Sequence, residues 1–367
     1  MRSTLPTNVR TGQREIRWPV RLSLAHASGM TTTITSFGAG DEAAIEQAYQ
    51  VDIAAAAVDM PELPTCRQRF FAMIGHPMPG NSPVHLLARL DGEPAGYLTL
   101  DLPQLDNTEN ASADLIVHPA YRRRGVGRAL FEHGLGVLRE RGRKRVSAMS
   151  TENLPGQPDR PAPAAAFAAR VGAANALVDV RRRLDSSQLD QQRLDSLLAD
   201  AWTRAAGYNL LFWQGRTPDD LVADVAYLDG RLLADAPMGD LAWEPEQIDA
   251  ERVRGTELAL EARGRRRYHA GLRHQATGRL VAWTLLEVGA SADWHAFQQI
   301  TIVDPDHRGH RLGLIAKIEN LRHLLTHEPA VRAIDTFNAD TNEHMIAINE
   351  QLGFRVRDRW SNWQLNL

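Results

Sequence analysis

A single cysteine, Cys66, stands in a chain of 367 residues. One thiol rules out an intramolecular disulfide framework and a cysteine-built zinc cluster, and it suits a reducing, cytoplasmic compartment. Long apolar runs are missing too. None approaches the roughly 18 residues that cross a bilayer, so a membrane is not expected as a partner. No sign of charge dominates: 42 Lys and Arg face 45 Asp and Glu, for a net charge of −3. Bulk charge therefore disfavours nucleic acid as a partner. The 13 histidines form no convincing ligand spacing with acids, and no metal is expected.

The length fits about two domains, and 43% apolar with 24% charged residues is ordinary for a globular chain. Residues 1–29 stand apart as a basic arm or leader without sustained periodicity. From Met30 the pattern is strand, two helices, a hairpin about Asp91-Gly92, and a strand over 111–117. That strand runs into Val117-His118-Pro119-Ala120-Tyr121-Arg122-Arg123-Arg124-Gly125-Val126-Gly127-Arg128. An amphipathic helix to 141, a strand over 143–150, a helix over 164–170 and a strand over 176–184 follow. A tight basic turn between a strand and a helix start suits an anion. The first amides of a helix lack partners and carry the positive end of its dipole. Glycines at 125 and 127 let backbone approach a phosphate.

The pattern Arg-x-x-Gly-x-Gly preceded by Val-x-Pro-x-Tyr resembles the pyrophosphate loop of the GNAT superfamily of N-acetyltransferases. The order of elements is the one that family shows. A second copy follows the charged stretch 181–193. It reads as a helix over 194–206, a strand over 208–213, a helix from 218, a long charged helix over 244–263, a hairpin and a strand over 296–303. Asp304-Pro305-Asp306-His307-Arg308-Gly309-His310-Arg311-Leu312-Gly313 then repeats the turn. Val303, Pro305, Arg308 and Gly313 answer Val117, Pro119, Arg122 and Gly127. The expected fold class is therefore α/β: two such domains in tandem, 30–185 and 186–367, each a mixed sheet flanked by helices. Most of the eight tryptophans fall in the second copy, where packing is their expected role.

The resemblance implies acetyl-coenzyme A as acyl donor, a small-molecule amine as acceptor, and a monomer or homodimer. It places the donor on Ile116, Val117, Arg122, Arg123, Arg124, Gly125, Val126, Gly127 and Arg128. In the second copy it places it on Ile302, Val303, Arg308, Gly309, His310, Arg311, Leu312 and Gly313, with Asn338 and Asn342 toward the pantetheine arm. Two catalytic candidates stand out. Asp114 precedes Val117 by three residues, which puts it on the opposite strand face unless a bulge intervenes. Gln299, like Thr301, lies at an even offset from Val303 and is expected on its face. The tyrosine that many members use to protonate the thiolate is missing: Phe167 or Ala168, and Asn349, occupy the matching positions. A non-catalytic acyl-coenzyme A sensor or scaffold is the alternative. Arginine at 311, where the first copy has Gly125, is expected to cost roughly 1 kcal/mol if that position needs a positive φ.

Overall fold

The computed structural model describes residues 22–25, 30–152 and 163–367. The first half runs β1 (Leu22–Ala25), β2 (Thr31–Phe37), α1 (Glu42–Asp59), α2 (Arg67–Gly75), β3 (Val84–Leu90), β4 (Glu93–Asp101), β5 (Asn110–Val117), α3 (Val126–Glu140), β6 (Arg145–Glu152), α4 (Pro163–Val171) and β7 (Ala174–Asp185). The second runs α5 (Gln191–Trp202), β8 (Tyr208–Gln214), α6 (Val222–Gly230), α7 (Leu232–Asp235), α8 (Ala250–Ala262), β9 (Arg266–His274), β10 (Leu280–Gly289), β11 (Ala292–Val303), α9 (Leu312–His327), β12 (Ala333–Ala339), α10 (Glu343–Gln351) and β13 (Arg355–Asn366). From Met30 to Asp185 the order matches the expectation. The arm does not wholly lack structure: Leu22–Ala25 pairs with Thr31–Ile34. The rest of it lies outside the described residues.

Local chemistry sets the boundaries. The Asp41 side chain accepts from the Ala44 amide at 3.0 Å and opens α1. Asp91 and Gly92 take φ of 52° and 94°, as a tight hairpin turn requires. The long charged helix expected over 244–263 is shorter. It starts only where Asp249 caps α8 by accepting from Arg252 N at 2.8 Å. The segment before it runs extended along the first half, where Asn107 Nδ2 donates to the Glu244 carbonyl at 2.9 Å and Asn110 Nδ2 to that of Ala242 at 2.5 Å. Among the described residues, no helix is long and apolar enough to cross a membrane.

All thirteen strands join one sheet, in the order β1-β2-β3-β4-β5-β6-β13-β7-β12-β11-β10-β9-β8. The halves exchange their closing strands. β13, from the second half, is hydrogen-bonded between β6 and β7 of the first. β7, from the first, lies between β13 and β12 of the second. Residues 181–183 of the charged stretch lie within β7, in line with the strand expected over 176–184. Arg181, 1% exposed, donates Nε to Asp358 at 2.9 Å and Nη1 to Asp335 at 2.8 Å. Arg183 grips Asp335 with two bonds of 2.7 Å, and His295 Nε2 meets it at 2.9 Å. Burial alone would raise the Asp335 carboxyl. The bonds from Arg183 and His295 and the charge of Arg181 hold it well below the usual range instead.

Helices cover both faces. α3 packs on one face of the first half, with Val126, Ala129 and Leu130 against Leu98, Leu115 and Val117. α1 packs on the other, with Ala48 and Val51 against Leu87, Tyr97 and Ile116. In the second half α9 and α5 share a core with Val303, while α6 and α8 pack with Ile300, Ile302 and Trp283 on the opposite face. The α2 and α8 faces of the two halves meet. Gln68 Nε2 donates to the Ala262 carbonyl at 3.2 Å, and Ser291 Oγ to that of Thr65 at 2.9 Å.

Candidate active site

Both basic turns are built alike. Arg122 Nε donates to the Val117 carbonyl at 3.2 Å, and Arg308 Nε to that of Val303 at 3.3 Å. Arg122 also grips Asp59 at the end of α1, at 2.8 and 2.5 Å, and Arg308 meets Asp235 at the end of α7, at 2.9 Å. These two arginines, expected on the donor, are committed to tying strand end, turn and helix together. Arg123, Arg124 and Arg128 are exposed, and so are Gly309, His310 and Arg311. The amides of Val126, Gly127 and Arg128, like those of Leu312 and Gly313, open a helix where no preceding turn supplies acceptors, whereas Leu314 N donates to the Arg311 carbonyl at 3.1 Å. Gly127 also serves packing: a Cβ there would meet Val117 Cγ2 at 3.3 Å.

The expected strain at Arg311 is present, and it has a counterpart. In the first turn the positive φ values fall on Arg123 (62°) and Gly125 (86°). In the second they fall on Gly309 (86°) and Arg311 (59°). The same two places are left-handed in both turns, each filled by one glycine and one arginine in opposite order. Gly309 does not relocate the turn. It relieves the place where the first copy has Arg123. His310 Nδ1 meets the Arg204 carbonyl at 2.9 Å, and His307 Nδ1 the Tyr208 hydroxyl at 2.8 Å, so these histidines brace the second turn. His118 caps the first, accepting from Ala120 N at 3.2 Å.

Beside each turn the sheet opens. β5 pairs with β6 only through Asn110–Ser112, although it stays on β4 as far as Val117. β11 pairs with β12 only from His295 to Gln298. Beyond those points the strands diverge, and backbone groups facing the wedge lose their ladder partners. Ile116, Val117, Ile302 and Val303 all lie on the open stretches. Asn338 and Asn342 have partners inside the fold. Asn338 Oδ1 accepts from Asn349 Nδ2 at 2.7 Å, and Asn342 caps α10 by accepting from Met345 N at 3.2 Å.

Asp114 sits on the open stretch of β5. No register shift interrupts β4 and β5, so it faces away from Val117, on the side of Ile116, α1 and α2. Its side chain is exposed on that side. Burial raises its carboxyl, the charge of Arg69 opposes the rise and that of Asp52 adds to it. Nearby, the buried Tyr97 hydroxyl donates to Asp52 at 2.8 Å. Sequence reasoning missed Tyr97 and Asp52. Their one signal was polarity next to the buried positions Ala95, Leu98 and Val51.

Gln299 requires a correction. The ladder between β10 and β11 shifts between Thr284 and Leu286. This bulge reverses the alternation, and Gln299 turns away from the face of Val303. There it bonds Glu287 at 3.0 Å. Gln298 takes the place expected for it, buried and bonded to Thr284 Oγ1 at 3.0 Å, while Thr284 meets Thr301 Oγ1 at 2.8 Å.

The Acetyltransferase (GNAT) family matches residues 52–158. A mycothiol acetyltransferase of Thermomonospora curvata is 31% identical over 274 residues, covering 73% of this chain and 78% of that protein. One of Actinosynnema mirum is 30% identical over 283 residues, covering 75% and 80%. A solved tandem GNAT protein from the clavulanic acid biosynthesis pathway is 32% identical, with a TM-score of 0.77 over 91% of this chain and 98% of that one. The family match includes the first turn, the solved tandem protein covers 91% of the chain, and the chain belongs to the GNAT family of acetyltransferases as a tandem-domain member.

Proposed function

We propose that the protein is an N-acetyltransferase, moving the acetyl group of acetyl-coenzyme A to the amine of a small molecule in one ternary complex at the wedge of the first half. The observation that carries this is Asp114: an exposed carboxyl with no ion pair among the described residues, on the open stretch of β5, below a turn with helix-opening amides and three exposed arginines. The turn holds the pyrophosphate. The wedge takes the pantetheine arm, and β5 backbone amides face the thioester oxygen, where preorganised donors contribute most.

Asp114 accepts a proton from the acceptor ammonium, for which a raised carboxyl is the better base. The free amine attacks the thioester carbon. The C–N bond forms, the C–S bond breaks, and the second amine proton goes to the departing thiolate. Coenzyme A is a good leaving group, so the missing tyrosine does not block this route. Relatives named mycothiol acetyltransferases favour a small-molecule acceptor. Calorimetric titration of acetyl-coenzyme A, followed by thiol release with an amine panel, tests the proposal. Binding with turnover is expected. Absence of binding overturns it, and binding without thiol release from any amine leaves the sensor reading in its place.

A further inference from the structure

The well-buried Arg181 is matched to carboxylates, and so is the half-buried Arg183, as arginines out of water require. Two arginines at the meeting of the halves are not. Arg265, just before β9, is half-buried, and among the described residues no carboxylate lies within ion-pair distance of it. Its guanidinium lies 5.8 Å from the Phe297 ring centroid. Burial lowers its pKa, and the positive charge of Arg69 lowers it further. Arg69, on α2, projects from the other half and likewise has no hydrogen-bonded or ion-paired carboxylate among the described residues. Arg263 stands with them: one nitrogen donates to the His76 carbonyl at 3.2 Å, and its buried Nε has no partner. Like charges are thus held together across the seam, where Gln68 beside Arg69 bonds the Ala262 carbonyl, with acids in electrostatic reach but none at ion-pair distance among the described residues.

Near them are acids with no arginine at ion-pair distance among the described residues, although Asp52 accepts from Tyr97 and Glu287 from Gln299. Asp114, Asp101 and Asp52 are all raised by burial. Glu287 is raised by burial too, with Arg265 opposing. Within electrostatic reach of one another, three arginines (Arg69, Arg263, Arg265) face four acids (Asp52, Asp101, Asp114, Glu287). The two signs are segregated rather than paired. A ligand with one anionic and one cationic end satisfies both groups and leaves the net charge at the seam unchanged. A phosphate would satisfy the arginines but add charge beside the acids. A plain amine would leave the arginines repelling.

We propose that the acceptor is an amino acid or peptide-like zwitterion, its carboxylate held by Arg69 and Arg265 across the seam and its amine delivered to Asp114. This rests on the first-half wedge being the transferase site. It also explains why the second half is retained beside that site, since it supplies Arg265 and the Phe297 face behind it. A planar carboxylate fits a guanidinium pair bidentately, so lysine does not replace either arginine.

The test has two arms on the full chain. In the first, thiol release from acetyl-coenzyme A is measured with the common amino acids and with glycyl dipeptides, each paired with its carboxamide. The free acid is expected to exceed its amide in kcat/KM by about 30-fold or more. Arg69→Gln, Arg265→Gln and Arg265→Lys are each expected to remove that ratio while acetyl-coenzyme A affinity stays unchanged. In the second arm, phenylglyoxal labelling of Arg69 and Arg265 is read by mass spectrometry with each member of a pair present. The acid, not the amide, is expected to protect both residues. Equal rates for acid and amide, or a ratio that survives Arg265→Gln, overturn the proposal, as does labelling that neither member slows. Protection by acids without thiol release leaves the carboxylate site standing and removes the transferase reading instead.

Discussion

The two turns reach one backbone path with their glycine and arginine interchanged. The path, rather than the residue order, is what the two turns share, and either order supplies it at similar strain. The helices leaving the turns differ more. Where α3 places Phe131, edge-on to Phe167 with centroids 5.5 Å apart, α9 places Lys317, 2% exposed with its nitrogen 5.8 Å from the Phe354 ring centroid. The first half has an aromatic side chain at that helix position and an acid on the open strand. The second has a buried amine, a bulged strand and an amide. Duplication preserved the donor scaffold while the groups beside it diverged.

The largest effect expected from this contrast is on rate. Asp114→Asn should lower kcat by about 10²–10⁴, the usual worth of a general base. Gln299→Ala should cost less than about 10-fold on the same scale, with donor KM steady in both. The reverse ordering would move the chemistry to the second half. Next is the junction that belongs to neither half. Asp335→Asn should cost about 3–5 kcal/mol in urea unfolding, because it leaves Arg181 and Arg183 short of a buried partner. The Asp335 carboxyl is depressed. Its stabilisation is therefore complete above the ordinary value of about 3.9 and is lost as pH falls through the lower folded value. The variant should show a flatter acid limb than the parent.

Lys317 has the opposite sign. Burial lowers it to about 7, so the folded state holds its proton less tightly than the unfolded chain. Its stabilising contribution is complete only above about 10.4 and fades as pH drops toward 7. Lys317→Met should therefore gain on the order of 2 kcal/mol at neutral pH, a gain that vanishes in thermal melts above about pH 10.4. A gain independent of pH would mean that the lysine is not the cause. Smallest are the turns. Arg123→Gly and Arg311→Gly should each raise stability by about 0.5–1 kcal/mol. Clearly unequal gains would break the equivalence drawn from their φ values.

Much of this was readable in the letters because it is local. Turn glycines, the hairpin at Asp91-Gly92 and the helix periods depend on near neighbours. What escaped depends on distant ones. No local pattern says that β13 will pair with β6 rather than follow a plain tandem arrangement, because both arrangements use the same strands. The Gln299 face was misread because a single extra residue reverses alternation without altering composition. Arg69 and Arg265 gave no signal, since arginines on α2 and ahead of β9 look ordinary until the halves are brought together. Arg122 and Arg308 were recognised as part of the turn, but their ion pairs were not. Their partners, Asp59 and Asp235, lie far away in the chain.

The exchanged strands also bear on how the molecule is made. A duplicated protein would ordinarily fold its first domain while the second is still on the ribosome. Here β6 keeps a bare edge until residues 355–366 have been translated, and β7 is built early only to wait for β12 and β13. The first domain to be synthesised is among the last to be completed. Its unpaired strands must stay out of wrong pairings in the meantime, and the nascent chain becomes safe from aggregation only when both halves close together.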